Sequence, residues 1–194
     1  IGGKAAVDRI TSLKLVYEGT AMGSTIKSEE VRTADKYAQT TYMNESPMMG
    51  VIAKGDELYM KQGGNKVPLP EAMKTDMQKS IGIFAEQSIA KNPEAKLVGI
   101  EAVEDKKAYR IDVPGETVQA SYFYDVETGL KIKEATVISM NGQTQNQETS
   151  IKEYQEVDGI KFPSLRVVPM GPQQIESKLL EAVINYEVQE SDFN

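Results

Sequence analysis

Three residue types, cysteine, histidine and tryptophan, are missing from this chain altogether, and the first two absences exclude more chemistry than any motif suggests. With no cysteine there is no disulfide framework, no thiolate nucleophile and no cysteine-ligated zinc or iron–sulfur centre. With no histidine there is no Ser-His-Asp triad, no imidazole base and no zinc site of the HExxH or HxxEH kind. Long hydrophobic runs are missing too: no stretch approaches the roughly 18 apolar residues of a membrane-spanning helix. Basic patches are also absent. The net charge is −7, and Lys and Arg are scattered rather than gathered into a stripe, which argues against a nucleic-acid partner. These exclusions lead to the expectation of a non-enzymatic protein without a metal or cofactor.

What is present is ordinary for a folded soluble chain. Its 194 residues are 40% hydrophobic and 26% charged, which fits a single domain over 1–194 with a real core. The chain opens Ile1-Gly2-Gly3-Lys4, without Met and without the pattern of a signal peptide. The expectation is a fragment or mature form of a longer precursor, whose upstream part would hold a signal peptide, a linker or another domain.

Period-2 alternation dominates. After a short helix end over Gly2–Ile10, strands read from Leu13, around Thr25–Thr33 and Lys36–Met43, then Met48–Lys54 and Glu57–Lys61. Gly63-Gly64-Asn65 reads as a turn. One long helix, Pro70–Ile89, is inserted after the fifth strand. Pro70 suits a first helical position, Glu71 suits the positive end of the dipole, and Met73, Met77, Ile81 and Phe84 form one apolar stripe. Gly82 would cost about 1 kcal/mol in an exposed helix interior, and Asn92-Pro93 ends the segment. Strands follow almost to the end, with an Asn141-Gly142 hairpin signal. The total is about ten strands at roughly 8–14 residue spacing. The fold class expected is mainly β (α+β): a curved antiparallel up-and-down sheet forming an incomplete barrel, with the long helix packed in the concave face.

Two turn units stand out. In Tyr122-Phe123-Tyr124-Asp125-Val126-Glu127-Thr128-Gly129-Leu130, Asp125 can accept backbone N–H groups of the turn, and Gly129 supplies a positive φ. Asp158-Gly159 is expected to do the same before Ile160-Lys161-Phe162-Pro163. With the opening Ile1–Ala5 and the closing Asn185 to Phe193, this pattern resembles the outer-membrane lipoprotein carrier-like (LolA/LolB-like) superfamily across essentially the whole chain. The likeness is nearest to a secreted Bacteroidetes version sometimes found C-terminal to insulinase-type zinc peptidase domains. The resemblance implies an incomplete barrel wrapped around helices, with acyl chains held in the apolar concavity. It also implies a strand arginine that helps close the cavity; Arg32, Arg110 and Arg166 all fall in strands, and none sits in a matching motif. The implied location is periplasmic or outer-membrane-associated. The implied partners are lipid or lipoprotein acyl chains, and a peptidase domain upstream in the same chain.

The residues expected to line the apolar concavity are Met73, Met77, Ile81, Phe84, Met48 and Met60, methionine being adaptable to irregular apolar ligands. Asp125, Gly129, Asp158 and Gly159 are expected to hold turns. The acidic pairs Glu29-Glu30, Glu104-Asp105 and Glu190-Asp192 read as solvated charges at turns or strand edges. Two functions follow. One is a carrier-like module binding an apolar ligand; the other is a ligand-free interaction domain appended to a secreted zinc peptidase-like protein.

Overall fold

The computed structural model describes every residue except Asn141 and Pro172, and leaves aside the side chain of Met170. The expected Asn141-Gly142 turn thus falls outside the described residues. A first meander runs through β1 (Ser12–Ala21), β2 (Ser24–Thr33), β3 (Lys36–Met43), β4 (Ser46–Lys54), β5 (Glu57–Gln62) and β6 (Asn65–Pro68). A second runs through β7 (Lys96–Val103), β8 (Lys106–Val113), β9 (Val118–Asp125), β10 (Lys131–Met140), β11 (Gln143–Val157), β12 (Ile160–Met170) and β13 (Gln173–Ile184). Pairing of β1 with β13 fuses them into one antiparallel sheet of 13 strands, ordered β6-β5-β4-β3-β2-β1-β13-β12-β11-β10-β9-β8-β7.

The sheet is antiparallel and open-edged, as expected, but it holds 13 strands rather than about ten. Part of the excess is β6, where Gly63 and Gly64 turn the chain at positive φ and Asn65–Pro68 pair back onto β5. Pro68 suits this position because a proline fits a sheet only where no ladder donor is needed.

The expected long helix is broken. After α1 (Lys4–Val7) come α2 (Glu71–Gln78) and α3 (Ala85–Lys91), with an irregular link between them. At the end of α2 the Ser80 hydroxyl donates to the Met77 carbonyl at 2.7 Å, offering the backbone an alternative to continuing the helix. Phe84 is extended, at φ −125° and ψ 138°. A Cβ on Gly82 would lie 2.8 Å from Ser88 Oγ, so a larger residue there requires the Ser88 side chain to move. The break lets Ile83 and Phe84 turn into a different part of the core from Met73.

Register assigns the two faces of the sheet. Leu13, Leu15 and Tyr17 of β1 share one face with Ile184, Ala182 and Leu179 of β13. With Val7, Ile10, Ile83, Phe84, Ile160 and Phe162 they form the central core. A second cluster joins Ala53 and Leu58 to Leu69 and Met73, with Val118 and Ile138 packed on it. Strands β5 and β9 stand nine steps apart in the sheet order; at about 4.8 Å per step a flat sheet would hold them roughly 43 Å apart. Residues of both touch the α2 cluster, so the sheet curls around the segment between β6 and β7, and this face is the concave one.

The outer face has its own cover. Val31, Ala38, Ile52 and Tyr59 pack against Phe193, Tyr186 and Val188 of the C-terminal tail. Asn185 ends β13 at φ 55°, and its Oδ1 accepts the Thr11 N–H at 2.9 Å. The tail closes in a short 3₁₀ turn, Glu190–Phe193, where Asp192 accepts the Gln189 N–H at 2.7 Å. Phe193 is 2% exposed. Replacing it with alanine is expected to lower stability by about 3–5 kcal/mol. Denaturant unfolding measures this, and a loss below about 1 kcal/mol would show the tail to be an optional cover.

Candidate functional site

The concave face is the one surface where the sheet, the helices and the unused apolar area meet. Its cover is the chain from Leu69 to Glu94, which must travel from β6 at one edge of the sheet to β7 at the other. Three polar anchors hold this crossing segment down. Asp76 of α2 accepts the Thr117 N–H at 2.7 Å, the Thr117 hydroxyl at 3.0 Å and the Val118 N–H at 3.0 Å. Arg32 of β2 donates to the Gly82 carbonyl at 3.3 Å. Glu86 of α3 accepts the Tyr124 hydroxyl at 3.4 Å and stands 3.9 Å from Lys131.

Of the residues expected to line the concavity, Met73, Met77, Ile81 and Met60 come together in the cluster under α2. Phe84 is buried too, but in the central core, its ring centroid 6.3 Å from that of Phe162. Met48 lies apart: it is exposed and belongs to none of the clusters. The cover does not reach the far strands. Leu97 and Ile100 of β7 and Tyr109 of β8 lie on the concave side by register with Ile111 and Tyr124, and are 64%, 55% and 39% exposed. An open cavity of about 630 Å³ also lies where the α2–α3 link meets α1, lined by Ile10, Ala34, Ile81, Gly82 and Ile83 among others.

A row of charge that the sequence does not announce lies inside the concavity. Arg32 and Glu30 lie opposite Leu13 and Leu15, so both point inward. They form an ion pair, and the Arg32 guanidinium lies 4.6 Å from the Tyr37 ring centroid. Burial opposes the charge on Arg32, but Glu30 more than offsets this and holds it firmly protonated. Across the concavity Lys131 lies 3.0 Å from Glu134. Burial pushes Lys131 down and Glu134 up; their attraction reverses both, leaving Lys131 above its ordinary value and Glu134 below. Burial pushes the Tyr17 hydroxyl up to about 12, and Tyr122 and Tyr124 upward as well. Alternation could not reveal this row. In β2 Val31 faces outward under the tail, while Glu30 and Arg32 face in, at the same parity as Ile26.

The turn residues sit away from the concavity's chemistry. Asp125 accepts the Glu127 N–H at 2.9 Å and lies 3.0 Å from Lys106 Nζ, with Gly129 at φ 68°. Asp158 and Gly159 both take positive φ, 49° and 81°, in the two-residue loop joining β11 and β12, as a type I′ turn requires. Asp158 therefore works through its own backbone conformation rather than through an Asx cap like that of Asp125. Tyr122 and Tyr124 share the concave face, while Phe123 is buried on the other, with Arg110 and Lys133 over its ring.

No family model matches the chain, and no curated protein is similar to it in sequence. Among solved structures it is similar to a LolA superfamily protein from Nitrosomonas europaea, at 9% identity and TM-score 0.60, over 98% of this chain and 94% of that one. It is similar to a DUF1329 family protein from Desulfovibrio piger at 10% identity and TM-score 0.61, over 97% and 91% of the two chains. A putative outer membrane lipoprotein-sorting protein domain from Vibrio parahaemolyticus aligns at 11% identity and TM-score 0.53, over 94% and 88%. The chain thus has the LolA-like fold. No helix among the described residues is long and apolar enough to cross a membrane.

Asp76 gives the site a pH-dependent signature. Burial pushes its carboxyl up, but hydrogen bonds from Thr117 and Val118 outweigh this and hold it below the usual range. Its contribution is therefore complete above the unfolded carboxylate value, about 4, and is lost as pH falls through the lower folded value. Asp76→Asn is expected to cost about 1.5–3 kcal/mol at neutral pH. The gap from wild type should hold above about pH 5 and shrink below about pH 4. Urea midpoints measured against pH check this; a gap that widens in acid would contradict it.

Proposed function

We propose that this protein is a non-enzymatic binder of an apolar ligand, a lipid or lipoprotein acyl chain, taken up on the concave face of the sheet. The observation that carries the reading is the incomplete cover: Leu97, Ile100 and Tyr109 continue the concave apolar surface into solvent beyond the crossing segment. Contiguous apolar surface of this kind marks an interaction site. The LolA-like fold supports it, because one solved structure of that fold is described as a putative outer membrane lipoprotein-sorting protein domain. An acyl chain would run along this strip toward Met60, Met73, Met77 and Ile81, displacing the crossing segment. Arg32 on the Gly82 carbonyl is then the latch, the part that the resemblance gives to a strand arginine. The location that follows is the periplasm or the outer-membrane surface of an exported protein.

A ligand-free interaction domain carried behind a peptidase-like unit is the competing reading. The apolar contacts already made beneath α2 favour it. The two separate in one assay, displacement of an apolar fluorophore by hexadecanol. The carrier reading expects micromolar displacement, weakened about tenfold or more by Ile100→Glu, since removing an apolar contact and exposing a charge to the chain costs at least about 1.4 kcal/mol. Met48→Ala, outside the clusters, should leave it unchanged. Wild type that binds neither fluorophore nor hexadecanol would leave the interaction-domain reading standing.

A further inference from the structure

Three cations stand in the inner part of the concavity, and two are already matched. Arg32 pairs with Glu30, and Lys131 with Glu134 and Glu86. Arg166 of β12 has no carboxylate within ion-pairing reach among the described residues. Its position on the inner face is fixed by register, since it lies opposite Ser177 of β13 and Ile151 of β11. Its guanidinium is 3.8 Å from the centroid of the Tyr17 ring. That ring is held in turn by the Tyr17 hydroxyl, which donates to the Pro163 carbonyl at 3.0 Å. Arg166 is thus oriented by stacking, which leaves its N–H fork free.

Two further observations make the position usable. No fully buried side-chain nitrogen or oxygen among the described residues lacks a hydrogen-bond partner. The unpaired N–H groups of half-buried Arg166 therefore reach accessible space. The inner carboxylates are committed elsewhere: Glu30 to Arg32, Glu134 to Lys131, and Glu86 to Lys131 and Tyr124. Arg166 depresses the Glu134 carboxyl at longer range but forms no ion pair with it. The protein thus supplies a positive fork beside apolar Ile151 and the Phe162 core, with no protein anion to fill it.

We propose that Arg166 is an anion-anchoring point, so that the ligand of the concavity is an acyl chain with a negative head, a carboxylate or a phosphate ester. This rests on the acyl-binding reading above. A guanidinium grips both heads with paired N–H···O bonds, while the chain runs along the concave apolar surface.

The test compares hexadecanoate, hexadecyl phosphate and hexadecanol in the fluorophore-displacement assay, with wild type and with Arg166→Gln and Arg166→Lys. Wild type is expected to bind at least one anionic ligand about tenfold tighter than the alcohol, a charge-assisted pair being worth at least that much. Which of the two anions gains distinguishes a carboxylate from a phosphate ligand. Arg166→Gln should remove the preference while keeping hexadecanol affinity, and Arg166→Lys should keep part of it. Equal binding of all three by wild type overturns the anchor and leaves the acyl reading intact, as does a preference that survives in Arg166→Gln. Binding of none overturns both. Should Arg166→Gln not fold, the wild-type preference and Arg166→Lys still decide.

Discussion

Pairing of β1 with β13 is the constraint on which the rest of this structure depends. It places the first and last strands side by side in the middle of the sheet. The two meanders therefore grow outward in opposite directions, one ending at β6 and the other starting at β7. The connection between those edges cannot be a tight turn. It has to cross the sheet, and it crosses on the side where Leu13, Leu15 and Tyr17 need cover. The cover of the concave face is thus a consequence of strand order, and its helices are short because they serve a crossing.

The crossing segment is held differently from the strands. Each inner strand is bonded to neighbours on both sides along its length. The segment is fixed by apolar contact and by a few polar anchors at Asp76, Gly82 and Glu86. Elements held this way open at lower free energy than the sheet they rest on. The inner charges give a second asymmetry. A buried ion pair adds little net stability and is costly to break on one side, so the Lys131–Glu134 and Arg32–Glu30 pairs fix side chains in place without adding much stability. Arg166, stacked on Tyr17 and unmatched, is the exception to that pairing.

Much of the fold was legible because alternation and turn chemistry are local. The strand positions from Leu13 to Ile184, the turn glycines and the Met73–Met77–Ile81 grouping all come from patterns a few residues long. The broken helix was less legible. Gly82 signalled a weak point, but a Cβ's clash with Ser88 Oγ and the Arg32 bond to the Gly82 carbonyl are tertiary facts. The inner charges were hidden for another reason. The sheet is covered on both faces around β2, so Glu30 reads as a solvated charge, although it and Arg32 face the concavity and Val31 packs under the tail. Asn185 and Asp192, seen as parts of a closing motif, prove to redirect and cap the tail.

The central claim is that the segment from Leu69 to Glu94 is a separable cover over a sheet that stays intact. Native-state hydrogen exchange measures this most directly, amide by amide. The account predicts that amides of α2 and α3 exchange through a local opening, well before those of β1, β2, β12 and β13, which should exchange only with global unfolding. Equal protection of the helices and the central strands would contradict it, because the cover and the sheet would then open as one unit.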